Sequence, residues 1–116
     1  MTLAALKAFS LRLPKASVVQ QWGEVLVFKV AGKMFLLVPF EGDLALSASF
    51  KASADDFEAL SQTDGFRPAP YLARAGWIQL EDMDAAPAAR LQALVRTSYE
   101  LVVAKVSAKK RSELGL

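Results

Sequence analysis

Apolar positions along this chain repeat at two spacings, one helical and one of strands. In TLAALKAFSLRLP, Leu3, Leu6, Phe9 and Leu13 share a helical stripe, and Lys7 and Arg12 lie off it. Thr2 suits an N-cap and Pro14 a stop, so an amphipathic helix is predicted over Leu3–Leu13. Ala16 to Glu24 reads as a connector containing Trp22-Gly23. The stretch VLVFKVAGKMFLLV, Val25 to Val38, then reads as two strands folded back around Ala31-Gly32, Val25–Val30 and Lys33–Pro39. Both of its faces are apolar, whereas a strand with one face in water alternates. After a turn at Glu41-Gly42-Asp43, a third strand runs from Leu44 to Lys51. There Leu44, Leu46, Ala48 and Phe50 face one way, and Ala45, Ser47, Ser49 and Lys51 the other.

Ser53-Ala54-Asp55-Asp56 starts a short helix anchored by Phe57 and Leu60 and ending near Gln62. Thr63-Asp64-Gly65 breaks it. FRPAPYLARAGWIQL reads as an irregular strand, a turn at Ala75-Gly76 and a last strand from Trp77 to Glu81. Pro68 and Pro70 confine the irregular strand to an edge or a loop. Pro87 opens a long helix to about Val106, with Leu91, Leu94, Val95, Leu101 and Val102 on its stripe. SAKKRSELGL reads as a basic tail. The order α-β-β-β-α-β-β-α predicts an α+β, two-layer sandwich: a single antiparallel sheet with helices packed on one face, in one domain spanning residues 1–116.

The hairpin admits two registers. A two-residue loop puts Ala31 at positive φ, which costs a non-glycine residue about 1 kcal/mol or more. A three-residue loop, Val30-Ala31-Gly32, leaves only Gly32 left-handed and sets Lys29 opposite Lys33, and it is the preferred reading. It sends Leu26, Phe28, Met34, Leu36 and Val38 to the core. Val25, Val27, Lys29, Lys33, Phe35 and Leu37 go to the second face, rimmed by Lys29, Lys33 and Lys51. The expected core is Leu6, Phe9, Leu26, Phe28, Leu36, Leu46, Phe50, Phe57, Ile78, Leu80, Leu94 and Val102.

Composition removes several functions. The chain of 116 residues is 53% hydrophobic, enough for a packed core. It has no Cys and no His, so disulfides, thiolate chemistry and the usual neutral-pH base are excluded. The carboxylates Asp55-Asp56 fit a helix start, and Glu81, Asp82 and Asp84 a loop. No phosphate-cradling glycine loop is present, so the expectation is a protein that is not an enzyme, with no cofactor and no metal site. No apolar run spans a bilayer and no signal peptide is visible, so a cytoplasmic protein is expected. Fourteen Lys and Arg against twelve Asp and Glu give a net charge of +2, too little to announce nucleic-acid binding.

VFKVAGKMF (Val27–Phe35), FRPAPYLARAGWIQL (Phe66–Leu80), SYELV (Ser98–Val102) and KKRSEL (Lys109–Leu114) occur in this order. Together they resemble the MmcQ/YjbR family of small bacterial proteins, over about Leu3 to Leu114. The resemblance implies a secretion-chaperone-like fold and two projecting hairpin "wings" proposed to bind DNA. The family's Phe-Lys-x-x-Gly-Lys hairpin matches Phe28, Lys29, Gly32 and Lys33. Its Arg-Pro-x-x-Tyr-Leu segment matches Arg67, Pro68, Tyr71 and Leu72, and its basic residue before a tryptophan matches Arg74 and Trp77. Many relatives have Asn, a second basic residue and His before that tryptophan, where this chain has Ala73, Ala75 and Gly76.

The nucleic-acid candidates are therefore Lys29, Lys33, Arg67 and Arg74 for phosphates, with Trp77 and Tyr71 for base stacking. Each has a plainer alternative: solvated tip lysines, an ion-paired arginine, a packed tyrosine, a buried tryptophan. Cations of the tail, Lys105, Lys109, Lys110 and Arg111, suit a helix C-terminus. The other partner class is a protein, a peptide or subunit on the sheet face, for a monomer or weak dimer.

Overall fold

The structure is a computed structural model of all 116 residues. Helix α1, Leu3–Leu11, is capped by Thr2, whose hydroxyl accepts the Ala5 N–H at 3.1 Å. The strands are β1 Ser17–Gln21, β2 Val25–Val30, β3 Lys33–Glu41, β4 Leu44–Ala45 and β5 Ala48–Lys51. After α2, Ala54–Ser61, come β6 Phe66–Pro68, a 3₁₀ turn at Ala73–Ala75 and β7 Trp77–Leu80. Helices α3, Ala88–Ala104, and α4, Ala108–Leu114, end the chain. All pairings are antiparallel in one sheet of order β1-β2-β3-β5-β7-β6, with the short β4 beside β3. The fold is the α+β sheet-and-helix layout expected, with two added elements and the third predicted strand split into β4 and β5.

The first addition is β1. The connector reading fails because SVVQQ neither alternates nor carries a charge, so its strand pattern is weak. It pairs with β2 through a turn in which Trp22 and Gly23 take φ +51° and +83°. The second addition is α4, read as a tail because its apolar content is low. Ser107 caps it by accepting the Lys110 N–H at 3.2 Å.

Two register changes correct the face assignments. Val30 pairs with Lys33, so the hairpin has the two-residue loop after all, with Ala31 at φ +53° and Gly32 at +77°. Two left-handed residues match the twist of the flanking strands, and that match outweighs the strain at Ala31. Lys29 consequently lies opposite Met34, not Lys33. Phe28 pairs with Leu36 and Lys29 with Met34, which leaves Phe35 as the extra residue of a bulge. Phe35, expected on the outer face, is fully buried, with its ring 5.5 Å from that of Tyr99 and nearly perpendicular to it. Met34 is only half-buried.

The bulge frees the Phe35 carbonyl from the ladder. Buried Ser98 of α3 donates its hydroxyl to that carbonyl at 2.6 Å and accepts the Lys51 N–H at 2.9 Å. One side chain thus satisfies two backbone groups and ties β3 and β5 to the helix.

The second change lies beyond Phe40. Phe40 pairs with Ala45, whereas Leu36 pairs with Phe50, so the strand breaks and slips by one residue at Leu46-Ser47. Ala45 turns to the core, while Leu44 and Leu46 turn outward, 63% and 44% exposed. Leu46 is therefore not a core residue. Leu26 and Phe57 are partly buried at the core's edge. The other expected core residues are buried.

The sheet's two faces read as cross-strand rows. Val18, Phe28, Leu36, Phe50 and Ile78 form the row beneath the helices. Val19, Val27, Leu37, Ser49, Gln79 and Arg67 form the adjacent outer row. Val27 is fully buried and Ser49 nearly so, whereas Val19 at the β1 edge is 41% exposed.

Candidate nucleic-acid interface

The registers bring three chain segments to one end of the sheet. Lys51, the last residue of β5, pairs with Trp77, the first of β7. Lys33 opens β3 directly after the Ala31-Gly32 turn. The connection from β6 to β7 turns at this same end, since Pro68 pairs with Ile78. Gly76 holds that connection against β5 by accepting the Ala52 N–H at 2.9 Å. It does so at φ +81°, where a side chain is strained.

A cleft of about 220 Å³ lies between the segments, lined by Lys33, Met34, Lys51, Trp77, Val102 and Lys105. The last two come from the C-terminal end of α3, where Lys105 is the cap residue. Met34, Trp77 and Val102 give the lining its apolar part. Around it stand three ammonium groups and no carboxylate. Lys51 is half-buried, and its pKa is lowered from 10.5 first by burial, then by Lys105 and Lys33. A second cleft of about 580 Å³ shares Lys51 and Lys105 and continues to Phe57, Arg74 and Gly76. Lys110 of α4 reaches the hairpin tip and donates to the Ala31 carbonyl at 3.1 Å.

Of the six residues picked from sequence, the structure gathers Lys33 and Trp77 in the first cleft and Arg74 in the second. Trp77 is only 5% exposed, so its indole serves as lining rather than as a free stacking platform. Tyr71 stands fully exposed at φ +65° on the same connection as Arg74. Lys29 is half-buried on β2 and lines neither cleft. Arg67 lies in the outer row and pairs with Glu81 at 3.7 Å, the one ion pair of the chain. Asp82 is also occupied, accepting the Asp84 N–H at 3.0 Å as a turn cap.

Lys51 and Lys105 were not among the six. Lys105 follows Val102 by three residues, so it lies on the helix face that reaches the core. Lys51, expected on the rim with Lys29 and Lys33, is brought beside Trp77 by the β5–β7 pairing. The chemistry of this donor set suits an anion. The largest cavity, about 670 Å³, lies between α1 and the first strands, and its lining carries one cation, Lys7, and one carboxylate, Asp43.

The YjbR family model matches residues 11–101. The chain belongs to the YjbR family. A Deinococcus radiodurans protein with a DUF419 domain is similar in crystal structure, with a TM-score of 0.86 and 29% identity over 97% of this chain and 87% of that one. A Pseudomonas syringae protein shares the fold, with a TM-score of 0.69 at 16% identity, over 87% of this chain and 98% of its own. No curated protein matches the chain. Lys33, directly after the Ala31-Gly32 turn, lines the smaller cleft, and Ala73, Arg74, Ala75 and Gly76, before Trp77, line the larger one. No helix is long and apolar enough to cross a membrane.

Proposed function

We propose that this YjbR protein is a binding protein, not an enzyme, and that it holds nucleic acid by its phosphates at the end of the sheet where the two hairpins project. One observation carries the reading: Lys33, Lys51 and Lys105 line one cleft with no carboxylate among its lining residues. Like charges gathered without a counter-ion are relieved by a bound anion, and a phosphate backbone supplies a row of them. Arg74 extends the row, and exposed Tyr71 on the second wing is placed to stack on a base. A cytoplasmic monomer or weak dimer fits this reading.

A protein partner is the second reading, favoured by exposed Val19, Leu44 and Leu46. Fluorescence anisotropy with labelled duplex and single-stranded DNA, at low and moderate salt, separates the two. The nucleic-acid reading expects binding at low salt, weakened about tenfold or more in Lys51→Met/Lys105→Met. No binding at low salt, or a double variant that binds like its parent, leaves the protein partner as the better reading.

A further inference from the structure

The cleft is small for the charge it carries. Its 220 Å³ falls below the roughly 300–1,000 Å³ of pockets that enclose a drug-sized ligand. Three of its six lining residues are lysines and the other three are apolar, so it offers charge without a fork of directed acceptors or donors for a base. A group filling it is compact and strongly anionic.

Two phosphate chemistries are available in a nucleic acid. An internal phosphodiester carries one negative charge and continues as chain in both directions. A terminal phosphomonoester carries about 1.5 to 2 negative charges at neutral pH and continues in one direction only. Three ammonium groups around one pocket match the second better, because each extra unit of ligand charge meets all three. The second cleft shares Lys51 and Lys105 and leads away past Phe57 and Arg74, a path for the rest of the strand. Lys51 is half-buried beside Lys33 and Lys105, so the three positive charges act on one small volume.

We infer that the cleft takes the terminal phosphomonoester of a nucleic-acid strand, with Lys33, Lys51 and Lys105 around the phosphate and the chain leaving along Arg74. The inference rests on the nucleic-acid reading of the same surface and names the part of the strand that this surface prefers.

Trp77 reports on the cleft directly once Trp22, the only other tryptophan and 68% exposed, is replaced in a Trp22→Phe background. Three probes are titrated: a 5′-phosphorylated single strand, its unphosphorylated twin and inorganic phosphate. The phosphorylated strand is expected to bind about tenfold more tightly than its twin, from a terminal group of about 1.5 to 2 negative charges that the twin lacks, set beside three cations. That preference is expected to vanish in Lys51→Met and in Lys105→Met, the latter an exposed position at which folding is not at stake. Equal binding of the two strands overturns the inference and leaves the phosphate-contact reading standing. Binding of neither strand overturns both. Inorganic phosphate bound as tightly as the phosphorylated strand also overturns it, since the ligand is then free phosphate rather than a strand end.

Discussion

Lys51 and Arg67 sit on one sheet, separated by β7, and meet different fates. Arg67 is half-exposed and has Glu81 at 3.7 Å, itself half-exposed. Such a pair is worth about 0–1 kcal/mol and leaves little net field. Lys51 is half-buried, has no carboxylate partner, and faces Lys33 and Lys105. A net charge of +2 describes neither position. Strand register decides which cations are neutralised and which are gathered.

The contrast depends on the bulge that sets β3 against β5 and α3. Phe35→Ala removes the ring buried beneath that bulge, and about 3–5 kcal/mol of stability should be lost. Urea unfolding with the Arg67→Ala variant alongside reads this out, the latter changing by less than about 0.5 kcal/mol as a surface substitution. A small loss at Phe35 shows that the bulge does not anchor the basic end.

Ser98→Ala is the next largest effect. It strips the Phe35 carbonyl and the Lys51 N–H of their shared partner, at a cost of about 1–3 kcal/mol. Amide hydrogen exchange should rise at Lys51 and not at Arg67. Exchange unchanged at Lys51 means that another group holds the end of β5.

A smaller effect tests the crowding of charge itself. The Lys51 pKa is lowered in the folded state from an unfolded value near 10.5. Between the two values the unfolded chain holds a proton that the folded chain has released, so stability from this group rises with pH through that window. Below it the ammonium is charged in both states and destabilises the fold. Lys51→Met should therefore be most favourable relative to wild type at neutral pH, with the advantage shrinking as pH rises toward 10.5. An advantage that does not vary with pH contradicts the crowding.

Helices α1, α2 and α3 and the layer order were legible in the sequence because their patterns are strong and local. Leu3, Leu6 and Phe9 repeat at helical spacing, and Thr2 and Ser53 both cap the helices they precede. The strand misreadings have one source, that a strand's partner lies outside the strand. Val18-Val19 carries no alternation to announce β1. The extra residue at Phe35 and the slip at Leu46 each invert the side-chain parity that alternation alone predicts. The preference for a three-residue loop weighed the strain at Ala31 and left out the twist of the strands it joins. The site was half legible for the same reason. Lys33, Arg74 and Trp77 stood out locally and Lys51 was expected on the same rim as Lys33, whereas the β5–β7 register sets Lys51 beside Trp77 and only the length of α3 brings in Lys105. Arg67 carried equal weight in the sequence, and Glu81 cancels it.

The central claim is that the gathered lysines, and not the paired arginine, contact phosphate. The dependence of single-strand affinity on salt tests it most directly. Each phosphate contact contributes about 0.7 to the slope of log K against log salt on a single strand. Lys33→Met/Lys51→Met/Lys105→Met should therefore lower the slope by about 0.7, for the one phosphate that the three surround, and Arg67→Met should leave it unchanged. A triple variant that keeps the parental slope, or an Arg67→Met variant that lowers it as much, contradicts the account.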